Sequence, residues 1–323
     1  MITIRDVAQK AKVSLATASR ALSNQGYVSK DVKRKVLKAA KELGYVKDSR
    51  AAHLRSGQSN LIGVIVSDAN NFFYNIALSE LDSYLKEKNQ TLILSYSNED
   101  AERERECLKA LMASKVHTII FTPTSDQNAD LVKIAIQNGI KVVQLYRKVY
   151  PDISSIIFDD ELGAYLACKA LIEQGCKRPM LIDVSYKNFD SEKVSPNRSI
   201  GFKKAIEEEA IADSCLCSLD LIDADDKTLE EQVASFQPDG IVSGNNTFCL
   251  KLIHVLEQNE GYKAIKFITF DDLPWVSMLN ISAIRQPIKT LIGELVSSLS
   301  DKDCAFFCKK IAPSLAIRKL CLE

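Results

Sequence analysis

Residues 13–22, which read VSLATASRAL, decide the fold of the N-terminal region. Ser14 stands where a helix N-cap is expected, and an apolar stripe at helical spacing follows it, so a short helix is predicted. The stripe consists of Ala18, Ala21 and Leu22. The opposite face carries small, hydroxyl and guanidinium side chains, namely Leu15, Ala16, Thr17, Ser19 and Arg20. Such groups suit base edges and phosphates, so we interpret the segment as a DNA-recognition helix.

Two further helices are predicted on either side of this one. The first covers residues 4–11, and Thr3 and Asp6 have a spacing close to that of a capping box. The other covers residues 29–44 and ends on a glycine, which favours a helix C-cap. Their inward positions at helical spacing are Val7, Ala8 and Ala11, then Val32, Val36, Ala39, Ala40 and Leu43. Three short helices predict a helix-turn-helix DNA-binding headpiece over residues 1–46.

The charge of the chain is unevenly distributed. Residues 1–59 contain thirteen Lys or Arg and four Asp or Glu, whereas the rest of the chain contains 29 basic and 38 acidic residues. The net charge of zero therefore results from a basic N-terminal segment and an acidic remainder of the chain. This asymmetry is typical of a nucleic-acid-binding arm, and it argues against the alternative of an ordinary helical hairpin with a solvated charged face.

Three segments of the headpiece carry a resemblance to a known family: residues 3–8 (TIRDVA), 13–20 (VSLATASR) and 42–45 (ELGY). They resemble bacterial transcriptional regulators of the LacI/GalR (lactose-repressor/galactose-repressor) family, and the resemblance extends over nearly the whole chain. It implies a sequence-specific repressor whose operator affinity is controlled by a small sugar-like effector bound between two lobes. The predicted DNA-binding side chains are Thr3, Ser14, Leu15, Ala16, Thr17, Ser19, Arg20, Leu54 and Arg55.

Residues 47–60 are predicted to form a hinge helix and a linker. Residues 47–55 resemble the family's hinge helix, which becomes ordered in the DNA minor groove, and a helix of this length is marginally stable alone. Leu54 lies at the family's wedge position, where an apolar side chain opens a base step and bends the duplex. The sequence departs from the family at Ala52 and His53, where Arg and Ser are usual. The alternative is a linker with an isolated leucine.

From residue 61 onward, apolar runs of strand length alternate with amphipathic helices. Strands are predicted at residues 61–66, 91–94, 118–121 and 142–145, and then at 179–183, 218–221, 240–243 and 267–270. Helices are predicted near residues 74–87, 102–113 and 131–137, and then near 162–173, 201–208, 229–236 and 249–258. This alternation indicates parallel sheets covered on both faces, so residues 61–323 are predicted to form two doubly wound α/β lobes. The resemblance implies a periplasmic-binding-protein-like domain in which segments near Ile284 and residues 313–318 return to complete the lobes.

Ligands of open parallel sheets bind beyond the carboxyl ends of the strands. Aromatic, amide, carboxylate and guanidinium groups follow several of the predicted strands, and these are the groups that a sugar site uses. The family's cleft motifs fall on the same positions. The effector-binding residues that follow from both arguments are Asn71, Phe73, Tyr74, Arg147, Asp159, Arg198, Asn245, Asp271 and Gln286. The alternative for the aromatic residues is an ordinary place in the core.

The expected charge of the effector depends on four cleft positions. Arg147 and Arg198 are predicted to point into the cleft, whereas Tyr146 and Asn246 replace two acids that are usual in the family. The cleft is therefore expected to be less acidic than a neutral-sugar site. Because arginine pairs with carboxylates and phosphates, a sugar acid or sugar phosphate is a candidate effector beside neutral sugars.

Other classes of protein are less consistent with the sequence. An enzyme is not expected, because the chain shows neither a Gly-rich phosphate loop nor a Ser/His/Asp constellation, and neither a metal site nor a cofactor is predicted. The nine cysteines are expected to be reduced thiols, mostly in the core. The chain begins with a capped helix instead of a signal peptide and shows no membrane span, so a cytoplasmic protein is expected rather than a periplasmic sugar-binding protein.

A dimer is favoured because no heptad helix follows the last strand, and two-fold symmetry requires a near-palindromic operator. A protein co-regulator as the ligand of the lobes stays an alternative.

Overall fold

The computed structural model describes residues 2–23, 26–45, 59–185, 197–219, 224–301 and 306–318. The chain divides into two compact units, residues 1–59 and residues 60–323, which we call the headpiece unit and the two-lobed unit. The predicted hinge helix at residues 47–55, with Leu54 and Arg55, lies outside the described residues. Within the described ranges, every helix is too short or too polar to cross a membrane.

Over residues 2–23 and 26–45, the headpiece unit contains three helices: α1 (Ile4–Ala11), α2 (Leu15–Ser23) and α3 (Lys30–Leu43). At the start of α1 the Asp6 carboxylate accepts hydrogen bonds from the backbone N–H and the hydroxyl of Thr3, at 2.7 and 2.8 Å. The hydroxyl of Ser14 accepts from the backbone N–H of Thr17 at 3.1 Å and caps α2. Gly44 ends α3 in the left-handed conformation, with φ of 64°. The three predicted helices and their caps are therefore confirmed.

The core of the headpiece unit is small and built mainly from alanine and valine. Its buried members are Val7, Ala8, Ala18, Ala21, Val36, Ala39 and Ala40, one stripe from each helix. Leu22, Val32 and Leu43 pack against them and stay partly exposed. Small side chains let the helices approach closely, so each helix buries its apolar stripe without a large hydrophobic residue.

The first lobe of the two-lobed unit contains a six-stranded sheet in the order β11-β5-β4-β3-β1-β2, with every neighbouring pair parallel. Its strands are β1 (Leu61–Val66), β2 (Thr91–Tyr96), β3 (Thr118–Phe121), β4 (Lys141–Leu145), β5 (Ser154–Phe158) and β11 (Cys308–Ile311). Helices α4 (Phe72–Glu87) and α12 (Ile288–Ser300) cover one face, and α5 (Ala101–Ala113) and α6 (Ala129–Gln137) cover the other. Residues alternate between the faces, so Val64 packs with Leu291 in one cluster and Ile65 packs with Leu111 in another.

The second lobe contains a six-stranded sheet in the order β12-β10-β9-β8-β6-β7. Its strands are β6 (Pro179–Val184), β7 (Cys215–Leu219), β8 (Gly240–Ser243), β9 (Lys266–Phe270), β10 (Ser282–Arg285) and β12 (Ser314–Ala316). Its helices are α7 (Asp160–Glu173), α8 (Arg198–Glu208), α9 (Asp226–Phe236), α10 (Asn246–Gln258) and α11 (Pro274–Met278), with a 3-10 turn at Glu260–Tyr262. The edge strand β12 is antiparallel to β10, whereas the other neighbouring pairs of this sheet are parallel, as expected.

Several elements differ from the predictions, and the sequence explains why. Strand β7 begins at Cys215 instead of Ser218, because it is an edge strand with alternating burial and lacks a continuous apolar run. Strand β5 was not predicted, since its first two residues are serines; both are buried, and Ser154 Oγ accepts from the backbone N–H of Phe307 at 3.2 Å. Helix α12, which returns the chain to the first lobe, was also missed. Of the seven cysteines described, five are buried, in agreement with the expected core role.

In the part of the chain that the structure describes, the backbone passes between the two lobes three times, at residues 158–160, 285–288 and 311–314. The first passage leads from β5 to α7, the second from β10 to α12, and the third from β11 to β12. As a result, the carboxyl ends of strands from both sheets line one cleft. The fold therefore brings loops from distant parts of the sequence to a single site.

Candidate functional site

The outward face of α2 carries the side chains predicted to contact DNA. Leu15, Ala16 and Arg20 are exposed, and Leu15 exposes 45 % of its surface. Thr3, Ser14, Thr17 and Ser19 are exposed or half-buried beside them. The hydroxyls of Ser14 and Thr17 lie 2.8 Å apart. The face thus presents apolar and hydrogen-bonding groups together, as base edges require.

The second candidate site is the cleft between the two lobes, which has a volume of about 490 Å³. Eight of the nine predicted effector-binding residues line it, namely Asn71, Phe73, Tyr74, Arg147, Arg198, Asn245, Asp271 and Gln286. The ninth, Asp159, lies outside the lining: its carboxylate caps α7 by accepting from Leu162 N at 2.9 Å and pairs with Lys310 at 2.9 Å. The next residue, Asp160, lines the cleft in its place.

Hydrogen bonds join the lobes across the cleft. Asn246 donates to Asn71 of the first lobe at 3.0 Å and to Asp271 of its own lobe at 2.9 Å. Gln286, on the second passage between the lobes, donates to Asp160, on the first passage, at 3.0 Å. Asn71 also accepts from the backbone N–H of Phe73 and so caps α4. The positions of these side chains therefore depend on how far the lobes are closed.

Arg147 is bound by a carboxylate that the sequence argument missed. Its two terminal nitrogens donate to the two oxygens of Glu99, each at 2.7 Å, and Nη1 also donates to the carbonyl of Pro123 at 3.3 Å. The Arg147 side chain is 8 % exposed. Burial would raise the pKa of Glu99, but the Arg147 charge and hydrogen bonds lower it below its ordinary value. This is a bidentate ion pair between a buried guanidinium and a half-buried carboxylate.

Arg198 has carboxylate partners as well. Its Nη1 donates to Asp183 at 3.1 Å, Nη2 lies 3.6 Å from Asp160, and the guanidinium stacks on the ring of Phe270 at 4.4 Å. Four carboxylates line the cleft beside the two arginines, at Asp68, Glu99, Asp160 and Asp271. That the cleft is less acidic than a neutral-sugar site of the family stays a prediction.

Burial controls the ionisation of two of these acids. Desolvation raises the pKa of Asp160 to about 6; the Arg198 charge lowers it, and the charges of Asp271 and Asp183 raise it further. The pKa of Asp271 is also raised by burial, against the influence of Arg198 and of Asn246. The cleft is thus rich in acceptors that a ligand with hydroxyl donors would satisfy.

An aromatic cluster forms the first-lobe side of the cleft. Tyr146 packs edge-to-face on Phe73 with ring centroids 5.3 Å apart and stacks with Phe158 at 6.0 Å. Burial raises the pKa of Tyr146 well above its ordinary value. Tyr146 and Asp271 both have positive φ, 68° and 69°, and each directly follows a strand, β4 and β9 respectively. Such strained residues concentrate at functional sites, here at matching places in the two lobes.

Sequence reasoning missed Glu99, although the strand-end rule could have found it, because Glu99 follows β2. Asp68 follows β1 and Asp160 follows β5. These two acids stand in the segments that the strand-end rule and the family motifs selected, close to the predicted Asn71 and Asp159. Over the described ranges, no group of three or more His, Cys, Asp or Glu side chains has the geometry of a metal site.

A helix-turn-helix unit joined to a two-lobed binding unit defines the class of ligand-responsive transcription regulators. Residues 3–48 match the family described as "Bacterial regulatory proteins, lacI family", and residues 62–277 match the "Periplasmic binding protein domain". The chain is 30 % identical to the ribose operon repressor of Halalkalibacterium halodurans, covering 90 % of this chain and 87 % of that protein. It is 27 % identical to the transcriptional repressor PurR of Vibrio campbellii, covering 98 % of each chain.

The fold is also that of a solved repressor. The crystal structure of the lac repressor dimer bound to operator and the anti-inducer ONPF superimposes with a TM-score of 0.83, over 100 % of this chain and 99 % of that chain, at 24 % identity. The predicted fold class, a helical headpiece followed by two α/β lobes, is confirmed. The chain belongs to the LacI family of bacterial regulatory proteins, and it is an effector-controlled, DNA-binding transcription regulator. Its relatives are transcriptional repressors rather than enzymes.

Proposed function

We propose that this protein is a homodimeric repressor that binds a near-palindromic operator through α2 and releases or tightens it when a small sugar binds the cleft. The observation that carries this proposal is the composition of the cleft: aromatic rings on the first-lobe side, with carboxylates, amides and guanidinium groups converging from strand ends of both lobes. Sugars require this combination of an apolar surface and directional hydrogen bonds. A relative named as a ribose operon repressor supports a small sugar as the effector.

Three functional segments follow from this assignment: the headpiece at residues 1–46, the hinge at 47–60 and the effector domain at 61–323. Two headpieces of a dimer contact successive major-groove half-sites, which is why the operator is expected to be near-palindromic. The protein acts on chromosomal DNA and so works in the cytoplasm. A ligand that contacts both lobes shifts their closure only by its differential affinity for the two states, and the hinge transmits that shift.

The reading of DNA is tested with Arg20→Ala. Arginine donates two hydrogen bonds to guanine, so the loss of Arg20 is expected to relax the consensus and to cost about 1–3 kcal/mol per half-site. The measurement is selection of binding sites from random DNA, followed by titration of the selected operator. The control is Lys35→Ala, which removes an equal charge from the exposed surface of α3. If Arg20→Ala selected the same consensus as the wild type, Arg20 would not contribute to sequence recognition.

The coupling is tested with one substitution at each site. Arg198→Ala is expected to bind operator normally and to lose its response to sugars, because Arg198 lies in the cleft. Leu54→Ala is expected to weaken operator binding and DNA bending while sugar affinity without DNA is unchanged, because the wedge acts only on the duplex. A panel of neutral and acidic sugars, screened by thermal shift, identifies the effector. Equal loss of both activities in either variant would indicate unfolding instead of coupling.

A further inference from the structure

The loop after β2 is folded so that Glu99 reaches Arg147. In the first sheet β2 and β4 are separated by β1 and β3, so the two residues follow strands that are not neighbours. Asn98 and Glu99 both have positive φ, 53° and 56°. L-amino acids adopt this left-handed region at an energetic cost, and two consecutive residues do so here. The surrounding structure therefore enforces the placement of Glu99.

The ion pair with Glu99 leaves few hydrogen-bond donors of the Arg147 guanidinium for a ligand. Glu99 occupies both terminal nitrogens with good geometry, Pro123 shares one of them, and the guanidinium is almost fully buried. An anionic ligand would have to displace Glu99 and leave that half-buried carboxylate without its cation. Removing one partner from a buried ion pair is strongly unfavourable.

The charge around the cleft also opposes an anion. Four carboxylates line it, at Asp68, Glu99, Asp160 and Asp271, against two arginines. Asp183 adds a fifth carboxylate directly behind Arg198. A phosphate or carboxylate entering the cleft therefore meets an excess of negative charge in a region of low dielectric.

We propose that Glu99 is a specificity-determining residue that restricts the effector to uncharged sugars. It does so in two ways, by occupying the cation that would bind an anionic group and by adding negative charge to the wall of the cleft. This inference rests on the proposed function of the cleft as the effector site. It favours neutral sugars over the sugar acids and sugar phosphates that the sequence offers as candidate effectors beside them.

The test compares a neutral sugar with its phosphate ester on the full-length protein. The first pair is D-ribose and D-ribose 5-phosphate, and inorganic phosphate serves as a sugar-free anion; if another neutral sugar of the panel binds more tightly, it and its terminal phosphate ester replace the ribose pair. The wild type is expected to bind the neutral sugar at least about 100-fold more tightly than the ester, since like-charge contacts in a buried site are costly. Isothermal titration calorimetry gives the affinities.

The variant Glu99→Gln keeps the size of the side chain and removes its charge. It is expected to gain binding of the phosphate ester and of inorganic phosphate by at least about tenfold, through a bidentate contact with Arg147. The double variant Glu99→Gln/Arg147→Gln is expected to lose that gain. Glu102→Gln, an exposed acid on α5, is the matched control and should behave as the wild type.

Two results would overturn the role of Glu99. One is a wild type that binds the ester as tightly as the neutral sugar, a measurement that requires no variant. The other is a Glu99→Gln protein that melts and binds operator normally but gains no affinity for either phosphate probe. A wild type that responds to no sugar of the panel, neutral or anionic, would instead contradict the proposed effector class. A wild type that prefers an anionic sugar would overturn the role of Glu99 and would still agree with the proposed sugar-responsive repressor.

Discussion

The headpiece unit and the two-lobed unit expose their functional groups in opposite ways. The headpiece unit is basic, its core is small, and the side chains of α2 that are assigned to DNA are exposed or half-buried. The two-lobed unit is acidic, and its cleft residues are mostly buried and already paired with one another. A partner as large as DNA can meet exposed groups directly, whereas a small ligand must be enclosed by groups that the fold has prearranged. Function is therefore local in sequence in the first unit and non-local in the second.

The largest expected difference between the units is in their response to salt. Operator affinity of the full chain should fall by about 10³–10⁵ between 50 and 200 mM salt if the dimer neutralises about 6–10 phosphates. Effector affinity without DNA should change little, because the cleft ion pairs are buried and weakly screened. Fluorescence anisotropy with the selected operator measures operator affinity, and calorimetry measures effector affinity. A chain without residues 1–59 that still binds operator would contradict the assignment of the headpiece.

A second expected difference is in stability, and Gly201 tests it. A Cβ at Gly201 of α8 would lie 1.8 Å from the carbonyl oxygen of Glu161 in α7, so Gly201→Ala forces two helices apart. We expect a loss of about 3 kcal/mol or more in the unfolding free energy of the two-lobed unit and none in the headpiece unit. The measurement is chemical denaturation followed with a probe in each unit.

Gly293→Ala is the matched control for this substitution. Gly293 also lies in a helix, α12, but a Cβ there would meet only the Tyr84 hydroxyl, at 3.7 Å. Because alanine favours helices over glycine, we expect this variant to gain up to about 1 kcal/mol. If both variants lost the same stability, the packing of α7 on α8 would not explain the effect.

The contrast between local and non-local interactions also explains how much of the structure could be predicted from the sequence. The headpiece helices were predicted nearly to the residue, because caps such as that of Ser14 act over three residues and apolar stripes repeat within one helix. The strand-end rule also placed most of the cleft residues. The pairing of Glu99 with Arg147 could not be predicted, since it depends on loops after β2 and β4 that meet across two intervening strands. Strand β5 was missed for a related reason, because its two buried serines are hydrogen-bonded to Phe307 and Cys308, at the start of β11 and some 150 residues later.

The ionisation of Asp160 should make the stability of the two-lobed unit depend on pH. Burial raises the pKa of Asp160 from 3.8 to about 6, so the folded protein holds a proton that the unfolded chain loses above about pH 4. The stabilisation is complete below pH 4 and is lost as pH rises through 6, by about 3 kcal/mol at about 1.4 kcal/mol per pKa unit.

The variant Asp160→Asn isolates this effect because the amide does not titrate. The stability of the wild type relative to Asp160→Asn is expected to fall between pH 4 and pH 7, as measured by urea denaturation across that range. Asp152→Asn, which removes an exposed carboxylate, supplies the baseline. A difference that is constant with pH would show that Arg198 fully offsets the burial of Asp160.

The smallest expected effect concerns the cap of the recognition helix and tests whether function in the headpiece is local. Ser14 Oγ accepts from Thr17 N, so Ser14→Ala should cost about 1 kcal/mol of headpiece stability. Ser29 begins α3 without a side-chain hydrogen bond to its backbone, so Ser29→Ala is a matched control that should cost much less. Thermal unfolding of the headpiece signal measures both.

Ser14 is also assigned to DNA, and operator affinity measured well below the melting temperature separates the two roles. If Ser14→Ala weakens operator binding there while Ser29→Ala does not, the hydroxyl contacts DNA or orders the start of α2. Equal operator affinity in both variants would leave Ser14 as a cap alone, and reading of the operator would then rest on the remaining exposed side chains of α2.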